Sequence, residues 1–419
     1  MKVFEEMGHL LQEQWRRAHH DEDAFPDIAA GVFEKLAPCK GFDPMEPIHW
    51  LYKTQDLPRQ LTLLPGFGEP PLTVFSDQRL VIDLYYWLDG TTAIHQHSFS
   101  GAFQVLQGGS IHGHYQWTED QRINSRMALG ELSLRSINEL RVGDIQRILP
   151  GRQYIHSLYH LDSPSVTCVA RTINDPESGP QYEYFKPGLK VSSRQENAQL
   201  TKVGQSLSFA LGLPAPTRSR LISDFISGND LFCTYALFDR LMKHTRRLET
   251  LDEFWDVAIR THGAPAERLI PVFKEKARQS TLIHKRTLVK KAEHRYFLAL
   301  LLNVDEANDI LELLRQRYPG QDPIELVMKW VTALCAPADT ATGEDTLGIT
   351  LGESELAIFR QMLEGCPPTQ LIERLKETFD IEDMEEEAPL IAELASALRQ
   401  SPVFCPLFSS KPLTGNGRA

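Results

Sequence analysis

The sequence predicts an α+β protein: a β-barrel preceded by a helical extension and followed by an all-α region. Three observations predict it. Apolar residues at helical spacing open the chain, short β-branched and aromatic runs punctuated by glycine fill the stretch from Leu72 to about Phe185, and helix-periodic segments with capping signals occupy the remainder. These changes of texture set the expected boundaries: residues 1–70 for the extension, 71–190 for the barrel domain, 195–408 for the helical domain and 409–419 for a polar, frayed tail.

In the extension, Phe4, Met7, Leu10, Leu11 and Trp15 share one helical face, and Pro65-Gly66-Phe67-Gly68 reads as a connection. Strand-like runs follow at 79–87, 102–106, 110–117, 145–149 and 165–171, separated by Gly90, Gly108-Gly109, Gly143 and Pro150-Gly151. Many short strands at such spacing suggest a barrel or a sandwich. Farther on, Thr250-Leu251-Asp252-Glu253 has the form of a capping box, and an apolar stripe through Leu311 and Leu314 stops near Pro319-Gly320. A helix through Leu356, Phe359, Met362 and Leu363 ends at Gly365, with Pro367 and Pro368 behind it; 337–353 reads as a flexible linker.

With 419 residues and 42% hydrophobic content, the chain has enough material for two or three domains with their own cores. Its formal net charge of −12 disfavours attraction to nucleic-acid phosphates or anionic membranes. The basic stretch containing His284-Lys285-Arg286, Lys290-Lys291 and His294-Arg295 therefore reads as a solvated helix face, and the acidic run at 382–387 as a solvent-facing helix start. Six scattered cysteines form no C-x-x-C pair, which suits reduced thiols in a cytosol. Neither a signal core nor a membrane-spanning apolar run is evident, so the expectation is a cytoplasmic protein with small-molecule or protein partners.

The chemistry concentrates in histidines. Ile94-His95-Gln96-His97 places two imidazoles on one face of a strand, where His156 from a neighbouring strand could complete a facial site on one divalent metal and leave positions open. A rival pair, His112-Gly113-His114, follows the Gly108-Gly109 turn and reads as strand-face side chains.

The first segment runs Gly90-Thr91-Thr92-Ala93-Ile94-His95-Gln96-His97 through Gln107-Gly108; the second runs from Gly143 through Pro150-Gly151 to His156. Their order and spacing resemble the two motifs of the cupin superfamily. Over about residues 75–172 the chain is most similar to the cysteine dioxygenase-like, or thiol dioxygenase, branch: Trp87, then Thr92-Ala93-Ile94-His95-Gln96-His97, then Val105-Leu106-Gln107-Gly108, then Gln116-Trp117. The resemblance implies a cupin-type β-barrel, a double-stranded β-helix, holding one iron(II) on His95, His97 and His156. Zinc, nickel, manganese and copper are alternatives for the same ligands. It further implies a dioxygenase-like oxidoreductase that acts with dioxygen on a small molecule, such as a thiol or amino-acid derivative. A non-catalytic metal or ligand sensor signalling through the helical domain to a protein partner, and an oxygen-independent isomerase, are the other readings.

Two departures bear on the chemistry. Cupins with a metal-binding glutamate carry it just after His-x-His, whereas 98–106 contains no acidic residue, leaving three neutral ligands and a metal that favours an anionic substrate atom. Where the branch carries the histidine and tyrosine of Ser-x-His-x-Tyr, this chain has Val169 and Arg171. Arg171 is thus a candidate for orienting a substrate carboxylate, with a structural ion pair as the alternative. His160 is a candidate supporting residue rather than a fourth ligand. Tyr154 is a candidate pocket residue along with Tyr159, Tyr86 and Gln104, for which packing is the competing explanation.

Overall fold

The computed structural model describes residues 1–61, 68–88, 93–173, 180–193, 197–336, 345–376 and 384–409. Gly90 and the threonines before His95, the 65–67 connection, Glu382 and Asp383 of the acidic run, residues 337–344 of the expected linker and the tail beyond Ser409 lie outside them.

Three helices open the chain: α1 (Lys2–Arg17), α2 (Phe25–Leu36) and α3 (Met45–Lys53). The predicted apolar face of α1 is realised, with Phe4, Met7, Leu11 and Trp15 buried. Among the described residues, eleven strands follow: β1 (Pro71–Ser76), β2 (Leu80–Trp87), β3 (Ile94–Gln96), β4 (Gly101–Gln107), β5 (Ser110–Asn124), β6 (Met127–Leu140), β7 (Ile145–Ile148), β8 (Ile155–His160), β9 (Ser165–Thr172), β10 (Tyr182–Phe185) and β11 (Leu189–Ser192). Five of them form a sheet in the order β1-β2-β9-β4-β7, and the other six close a barrel in the order β10-β11-β6-β5-β8-β3. The closing pair is β3 with β10, through Glu183 opposite His95.

The three inner strands of the sheet, β2, β9 and β4, are buried almost throughout. On β2, Leu80, Ile82, Leu84 and Tyr86 point to the core made with α1 and α2. The alternate residues Asp83, Tyr85 and Trp87 therefore point the other way, toward the barrel. The barrel strand β8 meets them: His160 stacks on Trp87 with ring centroids 4.4 Å apart, and the His156 ring lies 6.3 Å from that of Phe103 on β4. Ile155, pointing oppositely on β8, packs with Tyr115, Trp117 and Tyr184.

Two local features hold the barrel together. Gly130 on β6 donates its N–H to the carbonyl of Gly188 at 3.1 Å, an approach so close that a Cβ on Gly188 would lie 1.9 Å from the Gly130 oxygen. Glu119 on β5 accepts from Lys190 of β11 at 2.6 Å, from Arg152 at 2.8 Å and from Arg122 at 3.0 Å. Burial alone would raise the Glu119 carboxyl, but the hydrogen bonds from Lys190 and Arg122 outweigh it and bring the pKa down to about 2.

After Ser192 the chain turns helical: α4 (Ala198–Leu211), α5 (Ala215–Ser227), α6 (Leu231–Thr245), α7 (Asp252–His262), α8 (Ala264–Glu267) and α9 (Leu269–Thr287). The change of texture lies where the sequence placed it, yet the compact units divide elsewhere, into Met1–Ala277 and Arg278–Ala419. The reason is packing. Met127, Leu129, Leu189 and Val191 of β6 and β11 share one core with Leu200, Phe232, Phe254 and Phe273. The second unit contains the C-terminal end of α9, then α10 (Ala292–Asn303), α11 (Ala307–Arg317), α12 (Pro323–Leu334), α13 (Glu353–Leu363), α14 (Leu371–Lys376) and α15 (Met384–Gln400).

Two expectations for the helical residues are corrected. Thr250 donates to the Thr245 hydroxyl within a 3-10 turn, and α7 begins without a side-chain cap, so no capping box forms there. The basic stretch is not simply a solvated face: Arg286 and His294 are buried, His294 Nδ1 lies 3.1 Å from Asp345, and Lys285 donates to the Leu347 carbonyl at 2.6 Å. Among the described residues, no helix is long and apolar enough to cross a membrane.

Gly188→Ala should destabilise the first unit by about 2 kcal/mol through overpacking, read from a urea melt. Glu119 titrates below its ordinary 4.5, so its contribution is present above that value and lost as the pH falls toward 2. The stability gap between wild type and Glu119→Gln should accordingly shrink from about 2 kcal/mol at neutral pH toward zero in acid, measured by urea melts at each pH.

Candidate metal centre and cavity

The antiparallel register of β3 and β8 sets His95 directly opposite His156. His97 follows His95 at the end of β3, and one ring nitrogen from each of the three histidines falls within 4.8 Å of the others. All three rings are buried. The His97 and His156 Nε2 atoms face each other at 2.8 Å, and one proton at most can lie between them. At His95, Nδ1 is 2.7 Å from the Ala93 carbonyl, which can only accept, so the proton sits on Nδ1 and the Nε2 lone pair is left for a ligand role.

Burial lowers the pKa of all three imidazoles; at His97 the neighbouring His95 and Arg171 add to the effect, and at His156 the surrounding histidines do. They are neutral at neutral pH, which is the metal-binding form. No carboxylate joins the group among the described residues. Glu183, opposite His95 in register, lies in the field of Lys276 and Lys243 instead. The donor set thus fits one divalent transition metal on three neutral nitrogens.

Behind His156, its Nδ1 lies 3.1 Å from His112 Nε2, and the Tyr154 hydroxyl reaches that same Nε2 at 3.1 Å. When His156 Nε2 is a ligand, its Nδ1 carries the proton and donates to His112, which fixes tautomer and ring orientation. His112, read from sequence as a strand-face residue, is therefore placed to support His156 in a ligand role. The β5–β8 register that brings it there, with His112 opposite Leu158 and His114 opposite His156, is a long-range property.

A cavity of about 450 Å³ adjoins the three histidines. Its opposite wall comes from β2 and β9 through Tyr85, Trp87, Thr167, Val169 and Arg171, with Phe103 of β4 beside them. Of the candidates Arg171, Tyr154 and His160, Arg171 alone is on this wall. Its Nε and Nη2 bond Asp83 Oδ2 at 3.2 and 3.1 Å, and its Nη1 donates to the Thr172 carbonyl at 3.3 Å. The ion-pair alternative is what the structure contains. Tyr154 sits behind the histidines rather than on the wall, and burial pushes its phenol far up. His160 is likewise set back, stacked on Trp87 with its Nδ1 3.2 Å from Ser110 Oγ; burial takes its pKa down to about 3.

Tyr86 and Gln104 are engaged elsewhere, with the Pro44 and Gly143 carbonyls, and Tyr159 is buried off the wall. Sequence reasoning missed Asp83, Tyr85 and Phe99. The Tyr85 hydroxyl donates to Asp83 Oδ2 at 3.1 Å, and the Arg171 guanidinium carbon lies 4.8 Å from the Phe99 ring centroid. The usable signal was the alternation of β2: once Tyr86 faces the helices, Tyr85 must face the cavity.

No family model and no curated protein match the chain. Solved structures match part of it. Peruvianin-I, a cysteine peptidase from Thevetia peruviana latex, is 19% identical over 24% of this chain and 53% of that one, about half its length, at a TM-score of 0.17. A hydroquinone 1,2-dioxygenase solved with Cd2+ and 4-hydroxybenzonitrile is 13% identical over 27% of this chain and 68% of that one, at a TM-score of 0.21. A cupin superfamily protein from Desulfitobacterium hafniense is 15% identical over 29% of this chain and 99% of that one, at a TM-score of 0.18. Scores this low carry no argument about chemistry, and the α+β architecture rests on the strand order given above.

His112→Ala should weaken metal binding by about tenfold or more, while His160→Ala should leave it within about threefold of wild type, as measured by competition with a chromogenic chelator.

Proposed function

We propose that the protein is a mononuclear non-haem iron(II) oxygenase of the three-histidine type, acting with dioxygen on a small molecule in the cytosol. The observation that carries this reading is the convergence of His95, His97 and His156, buried and neutral, beside a cavity of about 450 Å³. Held by His95, His97 and His156, iron(II) would supply a redox-active Lewis acid whose charge the three neutral ligands leave uncompensated.

The chain's own residues do the rest. The Ala93 carbonyl holds the His95 proton on Nδ1, and His112 with Tyr154 braces His156. Burial keeps the imidazoles neutral and so available as donors. Phe103, Ile148 and Leu158, all buried, line the cavity with apolar surface that disfavours water. The Arg171–Asp83 pair, tied to Tyr85 and Thr73, fixes the far wall.

After anaerobic iron loading, the wild type should hold one equivalent of metal by elemental analysis, and His95→Ala and His156→Ala less than about a tenth of that. Oxygen uptake should then be detectable with at least one compound in a panel of small thiols, amino acids and diketones. Wild-type metal content in both variants would overturn the site. Full loading without oxygen consumption would favour a sensor, and turnover without oxygen an isomerase.

A further inference from the structure

Resting on the three-histidine reading, we infer that the cavity selects an aromatic-sized substrate that carries one metal-anchoring acidic atom, a thiol, phenol or enol, and no carboxylate. Arg171 is the one permanent cation on the wall among the described residues. Its charge is already used. Asp83, itself buried, takes two of its N–H groups, and the Thr172 carbonyl takes a third. Asp83 is in turn completed by Thr73 Oγ1 at 2.7 Å and by the Tyr85 hydroxyl at 3.1 Å.

The network is neutral overall: both Asp83 oxygens accept, and three of the five guanidinium N–H groups have acceptors within it. A substrate carboxylate placed against Arg171 would have to share it with Asp83. Two carboxylates on one guanidinium in a buried site repel each other and leave one negative charge uncompensated. The rest of the wall suits an uncharged body. Trp87, Phe99 and Phe103 offer ring faces, and Ile148, Leu158 and Val169 offer aliphatic surface. Phe99 also lies over the guanidinium, so a ring is already the neighbour of that cation's face. A volume near 450 Å³ falls in the range of roughly 300–1,000 Å³ that holds drug-sized ligands. A small amino acid would leave much of it unfilled.

The test uses the full chain loaded with cobalt(II) under anaerobic conditions and titrated with two alkyl thiols, phenylmethanethiol and mercaptoacetate. Both anchor through the same kind of sulfur, and binding is read from the thiolate-to-cobalt absorption band. Phenylmethanethiol should bind at least about tenfold more tightly to the wild type. Asp83→Asn, which leaves Arg171 without its counter-ion, should tighten mercaptoacetate by about tenfold and leave phenylmethanethiol within about threefold. Equal or tighter binding of mercaptoacetate by the wild type overturns the inference, and this comparison stands by itself if the variant does not fold. Failure to take up cobalt at all overturns the metal centre instead.

Discussion

The antiparallel pairing of β3 with β8 is the constraint on which the rest of the site depends. It sets His95 opposite His156, with His97 one step beyond. Strand side chains alternate, so a slip of one residue would turn His156 away from the cavity and replace it with Ile155 or Ser157. β3 is only three residues long and cannot hold its register alone. Its register is pinned on one side by β8 and on the other by β10, the same contact that closes the barrel. Closure and ligand geometry are therefore a single structural event.

The sheet that faces β8 contributes chemistry of the opposite kind. The histidine side is neutral and rich in lone pairs, whereas the β2–β9 side holds a buried ion pair whose members cancel. A lone buried arginine would impose its field on the nearby imidazoles and draw any anion toward itself. Paired with Asp83, it stiffens the wall without dominating the cavity's potential. A divalent metal held by the three histidines would then be the strongest local attractor for negative charge.

Much of this was legible in the sequence, but unevenly. The runs that became β2, β4 and β9 are buried almost throughout and stand out by their β-branched and aromatic residues. β6 does not: Met127–Leu140 alternates leucines and isoleucine with Glu131, Arg135 and Glu139, and many of these residues favour helix, so its pairing with β5 and β11 is what makes it a strand. The three histidines were readable because their spacing is short or marked by Pro150-Gly151. Which of Tyr85, Tyr86 and Trp87 faces them was not, since that depends on the helices that bury one side of β2. His112 could be seen only as a second His-x-His pair. Its role comes from lying beside β8 across a pairing that no local pattern encodes.

The same argument explains why the strand-to-helix transition is not the edge of a compact unit. Met127 and Leu129 on β6 are fully buried, as is Leu189 on β11, with Val191 nearly so. Their cover is not another sheet but Leu200 of α4, Phe232 and Phe238 of α6 and Phe273 of α9. A barrel cut off after Ser192 would expose this apolar patch on β6 and on β11, the strand that pairs with β10. Lys276 of α9 adds a polar fastening, bonding Asp239 and the Tyr235 hydroxyl while its ammonium lies 4.1 Å from the Phe185 ring centroid on β10. Since β10 is also the strand that fixes β3, these helices support the register of His95 at one remove. In this fold the early helices complete the barrel's core, and a change in texture along the sequence does not coincide with a change of domain.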